Sequence, residues 1–370
     1  MSVADLALQR SKYKHLSDDE WRWFLQQVEG RERTADKLPY FATREDWWYP
    51  VRLSCEQCSS ELAARYKAEI IAKSQELRAK SQSTMVDLTG GYGVDTYFLS
   101  EVFEHTDYVE QNEELCRIAA HNFSIQKSAI SIHNCSAEEF LKTAGQYDLI
   151  FLDPARRDSH GGKVFRLEDC TPNVVELLPD LLAHGKRLMI KLSPMLDLTQ
   201  AVNALSAVTW DIYVVAIKNE VKELLLLSGG TGQITAIDLD KKEQVFVFTR
   251  EEETYCPFNF HLSPFTFLYE PNAAILKAGA YKLVAERFGL AKLDVNTHLY
   301  GSETLVKNFP GRVWNVVEKQ DLKQANVVVR NYPLTAEQLK KKLHLRDGGT
   351  AYVIGCRVNG KPTVFYAERF

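Results

Sequence analysis

Residues Thr84 to Thr96, Thr-Met-Val-Asp-Leu-Thr-Gly-Gly-Tyr-Gly-Val-Asp-Thr, run an apolar strand into a glycine-rich turn and on into an amphipathic helix. That arrangement opens a nucleotide-binding sheet, because the turn sits where strand ends meet a ligand. Gly91 and Gly93 stand where the backbone must bend sharply and let a ligand approach, and only glycine lacks the Cβ that would collide. Asp87, ending the strand, can face the same cavity. A dinucleotide fingerprint calls for a third glycine three residues after Gly93, and the chain has Thr96 there, so the turn points away from NAD. Glu110 follows at about the 20-residue spacing at which a carboxylate can hold ribose hydroxyls. Farther on, the run Tyr147-Asp-Leu-Ile-Phe-Leu-Asp153 ends in Pro154-Ala155-Arg156-Arg157. The proline after the acid fixes the chain and projects the next groups over the pocket.

Those residues need elements to hold them. Apolar strand-like runs recur near 84–89, 106–110, 129–133, 148–152, 187–192, 211–217 and 223–228, with helical stretches between the first five and a tight Lys-Asn-Glu-Val turn before the last. Five strand and helix units followed by a hairpin predict an α/β, mostly parallel sheet with one antiparallel strand. Two further runs, Gln233–Asp238 and Gln244–Phe248, extend that sheet or cover its edge. Residues 1–80 read as a helical region rich in aromatics, with Ser59 and Ser60 placed to cap the run Glu61–Ile71. The nucleotide-binding sheet is expected over 81–250, a small linker or ferredoxin-like segment over 251–297 with one helix from Asn272 to Phe288, and an α+β module over 298–370. That module is expected to carry strands at 312–317, 326–330, 351–357 and 363–367, and a helix near 335–342.

The length of 370 residues suits two or three domains, and 45% apolar residues is ample for their cores. No run of about 18 apolar residues appears and the first residues do not read as a signal peptide, so a cytoplasmic location away from membranes is expected. Seven scattered cysteines fit reduced thiols better than a disulfide framework. Cys55 and Cys58 have metal or redox spacing, but no second pair or histidine cluster accompanies them, so they read as core residues and no metal is expected. The net charge of -4 is uneven: residues 298–370 carry 12 Lys or Arg against 6 Asp or Glu, leaving +6 there and -10 elsewhere. A basic C-terminal module suggests a polyanionic partner. Lys340-Lys341-Lys342, with His344 and Arg346, could contact phosphate or form a solvated helix end.

Asp87, Gly91 and Gly93, then Glu110, then Asp153-Pro154-Ala155-Arg156, in that order, resemble the class I S-adenosylmethionine-dependent methyltransferases over about residues 81–230. The resemblance implies a Rossmann-like seven-stranded sheet with S-adenosylmethionine held by Asp87, Thr89, Gly91, Gly93, Glu110, Gln111, Ser136 and Asp153. Glu110 would take the ribose. Ser136 occupies the position where the family often places an acid against the adenine amino group. The whole chain, with its helical start, Tyr269-Glu-Pro-Asn-Ala-Ala274 and basic tail, is similar to a bacterial methyltransferase family carrying a C-terminal THUMP-like domain, which implies an RNA partner, tRNA or rRNA.

The acceptor decides which residues do the chemistry. Methyl transfer from a sulfonium needs no help for the leaving group, so the enzyme aligns and, where necessary, deprotonates the acceptor. Amino-group methyltransferases of this class often carry Asp or Asn before Pro-Pro and an aromatic. Here Asp153 and Pro154 are kept, with Arg156 at the aromatic position, where its guanidinium can stack on a base. With Lys191 these form the expected catalytic set. Uracil C5 methylation needs a nucleophilic cysteine after the fifth strand, which here ends Lys191-Leu192-Ser193-Pro194; Cys170 reads as an ordinary buried thiol. A ribose 2′-O-methyltransferase tetrad can be laid on Lys67, Asp153, Lys191 and Glu223. A small-molecule or protein methyltransferase, and a non-catalytic RNA-binding protein, complete the alternatives.

Overall fold

The computed structural model of the protein describes residues 3–74, 83–125, 129–156, 166–239, 243–257 and 265–370. They form two compact units, Met1–Thr209 with Leu225–Gly229, and Trp210–Leu224 with Gly230–Phe370.

The first unit begins with helices Val3–Ala7, Asp18–Thr34, Pro39–Ala42, Arg52–Gln57 and Glu61–Lys73. Their starts follow from capping chemistry. Ser17 and Glu20 bond reciprocally at the head of the second helix, and the Ser60 hydroxyl accepts from the Ala63 N–H at the head of the fifth, relieving amides that have no partner inside the helix. Phe41 stacks on Trp47 with centroids 4.0 Å apart, and Tyr97 meets both edge-on, which ties this region to the helix Val94–Leu99.

Strands β1 (Thr84–Asp87), β2 (His105–Val109), β3 (Ala129–His133) and β4 (Tyr147–Leu152) follow, then the short β5 (Ala155–Arg156) and β6 (Cys170–Thr171), and β7 (Gly185–Leu192). β1 pairs in parallel with β2 and β4, β2 with β3, and β4 with β7. Every residue of β4 is buried, as expected of a parallel strand covered on both faces. β5 and β6 form a separate two-stranded ribbon, with Arg156 opposite Cys170.

In the second unit, β8 (Trp210–Ile217) turns into β9 (Glu220–Ser228) through Lys218 and Asn219, with φ of 53° and 62°, the left-handed pair that a two-residue hairpin turn requires. The first five residues of β9 belong to this unit and the last four to the first. β10 (Gln233–Asp238) lies parallel to β8, and β11 (Gln244–Thr249) antiparallel to β10. Within the first unit the hydrogen-bonded order is β3-β2-β1-β4-β7, with the last residues of β9 beside β7; within the second, the first residues of β9 pair with β8, followed by β10 and β11. The seven expected strands are all present, and the two further runs extend the sheet past β8.

The rest of this unit is a second sheet of β12 (Phe267–Pro271), β13 (Ala291–Asp294), β14 (Thr297–Ser302), β15 (Gly311–Val317), β16 (Asn326–Arg330), β17 (Ala351–Val358) and β18 (Lys361–Arg369), ordered β13-β14-β12-β15-β18-β17-β16. It is antiparallel except between β16 and β17. Fully buried Trp314 anchors its core with Leu268, Leu299 and Ile354. The single helix expected from Asn272 to Phe288 is a correction: there are two helices, Ala273–Ala278 and Tyr281–Phe288. Gly279 takes φ 86° and caps the first, a left-handed C-terminus that stops a helix whatever the apolar pattern beyond it. Among the described residues no helix is long and apolar enough to cross a membrane.

Candidate active site

Strand order places the ends of β3, β2, β1, β4 and β7 side by side, and a cavity of about 300 Å³ lies over the first four. Asp87, Thr89, Gly91, Gly93, Glu110, Gln111, Ser136 and Asp153 all line it, although they are spread over 67 positions from 87 to 153. Ser54, Gln57, Cys58 and Ser59, from the helix Arg52–Gln57 and the loop after it, supply another wall.

The turn after β1 is held from several sides. Gly93 has φ 81° and starts the helix Val94–Leu99; a Cβ there would meet the Phe123 ring at 2.7 Å. Gly90, which the spacing argument passed over, has a different reason to be glycine: a Cβ would come within 2.1 Å of the Tyr108 ring. Tyr108 in turn donates its hydroxyl to the Gly91 carbonyl at 2.6 Å. Glu110 accepts from the Gly91 N–H at 2.9 Å through one oxygen and from the Asn112 N–H at 2.7 Å through the other. A carboxylate has about four acceptor positions, so each oxygen keeps capacity for a further donor.

Asp87 is 1% exposed. It accepts from the Thr96 hydroxyl at 2.6 Å and the Thr89 N–H at 2.9 Å. Burial outweighs those bonds, and with Asp95 and Asp153 near by it pushes the carboxyl up to about 7. Thr96, which stands where a dinucleotide fold wants glycine, is thus the residue that fastens the acid of β1. The Thr89 hydroxyl also accepts from the Asp153 N–H at 2.6 Å, locking the end of β4 to the end of β1.

Asp153 carries the second feature of the cavity. Its carboxylate is in direct contact with the Lys191 ammonium of β7. Lys191 also stands 3.8 Å from Asp95, and Asp95 pairs with Lys67 at 3.2 Å and accepts from the Ser59 hydroxyl at 2.7 Å. The result is a chain of alternating charge, Asp153, Lys191, Asp95 and Lys67, with the last fully buried. Burial pushes the Asp95 carboxyl upward, but Lys67 and Lys191 outweigh it and hold the group below its ordinary range.

Lys67, Lys191 and Asp153, three members of the tetrad laid on the sequence, are linked here through Asp95, which the sequence reading did not single out. Every residue of Val94–Leu99 is buried, and an acid in such a helix needs a buried partner; that burial is evident only in the fold. Ser59, expected as part of a helix cap, serves Asp95 instead, and Ser60 alone caps. Glu223 is buried in β9 and belongs to the second unit. Pro154 is buried, Arg156 sits in β5, and Arg157 lies outside the described residues. Ser136 lines the cavity while its hydroxyl accepts from the Glu139 N–H as a helix cap.

The remaining candidates resolve quietly. Cys55 is 1% exposed, donates to the Pro50 carbonyl, and is pushed up to about 12 by burial, a core thiol without nucleophilic character. Cys170 is buried. Lys340 pairs with Glu337 and Asp347 at 2.8 and 2.7 Å, so one of the three tail lysines is engaged within the module. Among the described residues no group of three or more His, Cys, Asp or Glu is gathered as a metal ion would need.

Two family models match the second unit: a ferredoxin-like domain over residues 267–310 and a THUMP domain-like module over 312–369. Among solved structures, a candidate methyltransferase from Porphyromonas gingivalis W83 is 30% identical with a TM-score of 0.84, covering 96% of this chain and 92% of that one. A candidate class I S-adenosylmethionine-dependent methyltransferase from Listeria monocytogenes is 10% identical with a TM-score of 0.36, covering 48% of this chain and 62% of that one. A candidate methyltransferase from Streptococcus mutans, solved with SAH, is 12% identical with a TM-score of 0.33, covering 44% and 94%. No curated protein matches the chain.

Proposed function

The chain belongs to the class I S-adenosylmethionine-dependent methyltransferases that carry a C-terminal THUMP-like domain, and from that premise we propose that it methylates RNA, transfer or ribosomal, at a base amino group. The cavity residues fit the cofactor. The glycine turn keeps backbone at the cavity wall, Glu110 keeps acceptor capacity suited to ribose hydroxyls, and Ser136, which lines the same cavity, would meet the adenine. When bound, S-adenosylmethionine supplies an electrophilic methyl group on a sulfonium that departs as a neutral thioether.

The observation that carries the acceptor assignment is Asp153, whose carboxylate lines the cavity while Lys191 holds it and Pro154 fixes the chain behind it. An ionised carboxylate accepts hydrogen bonds only, so it orients an exocyclic N–H and draws density toward the nitrogen. The proton shed as the N–C bond forms passes to this carboxylate and on to solvent. Arg156 is the residue we assign to stack on or flank the base. RNA is supported by the THUMP-like match and by the +6 charge of residues 298–370.

A second reading, ribose 2′-O-methylation, is favoured by one observation: Lys67, Asp153 and Lys191 of the proposed tetrad do gather. Mass spectrometry of nucleosides from cells with and without the gene separates the two. Loss of a base-methylated nucleoside is expected; loss of a 2′-O-methylated one selects the second reading. An unchanged nucleoside profile overturns both and leaves a small-molecule or protein acceptor, or RNA binding without catalysis.

A further inference from the structure

The geometry points to Asp95 as a positioning residue that keeps Lys191 charged, so that Lys191 acts as a fixed cation clamping Asp153 and not as a base. This rests on the methyltransferase reading and decides between its two acceptor chemistries.

Lys191 lies in contact with the Asp153 carboxylate and 3.8 Å from that of Asp95. Its side chain is 12% exposed. Desolvation favours the neutral amine, whereas carboxylates within about 4–6 Å favour the ammonium by 1–3 pH units each. Two carboxylates, one of them in contact, outweigh the burial. Asp95 can act this way only while ionised, and its own setting secures that: Lys67 at 3.2 Å, the Ser59 hydroxyl at 2.7 Å, and Lys191 itself. Among the described residues, Asp87, with its raised carboxyl, and the half-buried Cys58 thiol, raised by burial, also face this chain.

The consequence is chemical. A general base for a ribose hydroxyl must be deprotonated at the working pH, and a lysine between two carboxylates is not. A clamped, ionised Asp153 is instead a standing acceptor for an amine N–H, a nucleophile that needs alignment more than deprotonation. The network therefore favours the amino-group acceptor.

The test has a readout that needs no substrate. In protein labelled with 13C at the lysine ε-carbon, with the Lys191 resonance assigned by K191R, the ammonium is expected to persist to about pH 10 or above. In D95N its titration should fall by about one pH unit or more. Lys191 titrating below about pH 8.5 in the native protein, or unmoved in a folded D95N, overturns the inference. Should D95N not fold, S59A, which removes one donor to Asp95, and the native titration still decide. Methyl transfer to RNA from a strain lacking the gene gives a second arm: K191R should retain activity that K191A loses, whereas equal loss in both identifies a base. Failure of all variants and of the native enzyme on that RNA counts against the RNA reading alone, because the titration stands apart from it.

Discussion

Asp87 and Asp95 are the same residue type, eight positions apart, buried in one unit and lining one cavity, yet their carboxyls are shifted in opposite directions. Asp87 is met by a hydroxyl and an N–H, and burial lifts it to about 7. Asp95 is met by two lysines and a hydroxyl and is pulled below its ordinary range. At Asp87 the neutral donors moderate the cost of burial without overcoming it, whereas at Asp95 the two lysines overturn it. The cavity thus separates an acid with a raised carboxyl under the glycine turn from an ion-paired one beside Lys67 and Lys191.

The largest break in that contrast is Asp95→Ala. It strips two buried ammonium groups of a shared counter-ion, and removing one partner of a buried pair costs about 3–5 kcal/mol. Urea unfolding should show that loss, and a change below about 1 kcal/mol would mean the lysines find other anions. Next in size is the pH dependence of Asp87. Its folded value of about 7 lies above its unfolded value, so between about pH 4 and 7 the native state keeps a proton that the unfolded chain sheds. Its contribution is complete below pH 4, falls as pH rises through that window, and levels off above 7, a span of up to about 4 kcal/mol. Asp95 has the reverse sign: its contribution is present above the unfolded value and is lost as the medium becomes more acidic than about pH 4. Denaturation across pH should therefore show a falling limb that Asp87→Asn abolishes; an identical profile in that variant would refute the assignment. The smallest effect is Thr96→Val, which removes the 2.6 Å donor to Asp87. It should cost about 1–2 kcal/mol, more at pH 8 than at pH 5, because the lost bond matters most to the ionised form.

Asp87 was legible in the sequence and Asp95 was not, for a physical reason. Asp87 ends an apolar strand before a glycine turn, a local pattern. Asp95 stands in the first turn of a helix, where an acid is ordinarily a solvated complement to the helix dipole. Its meaning comes from Lys67, 28 positions earlier, and Lys191, 96 positions later, brought to it by the packing of the helix Glu61–Lys73 on Val94–Leu99 and by the strand order that sets β7 beside β4. The strands were legible because apolar runs bounded by turns leave few alternatives. Gly90 was opaque because the ring that excludes a side chain there belongs to Tyr108, on the neighbouring strand. The long helix expected after Asn272 failed because apolar periodicity continued through Gly279 while the backbone did not.

The proton on Asp87 has a calorimetric consequence. Burial raises this carboxyl up to about 7, so it keeps a share of its proton far above the ordinary carboxylate range. A cationic ligand entering the cavity would favour the ionised form and send part of that proton into solution. The heat of binding S-adenosylmethionine should then vary with the ionisation enthalpy of the buffer, while that of an uncharged analogue stays constant. The structure makes ligand capture an exchange of one positive charge for another.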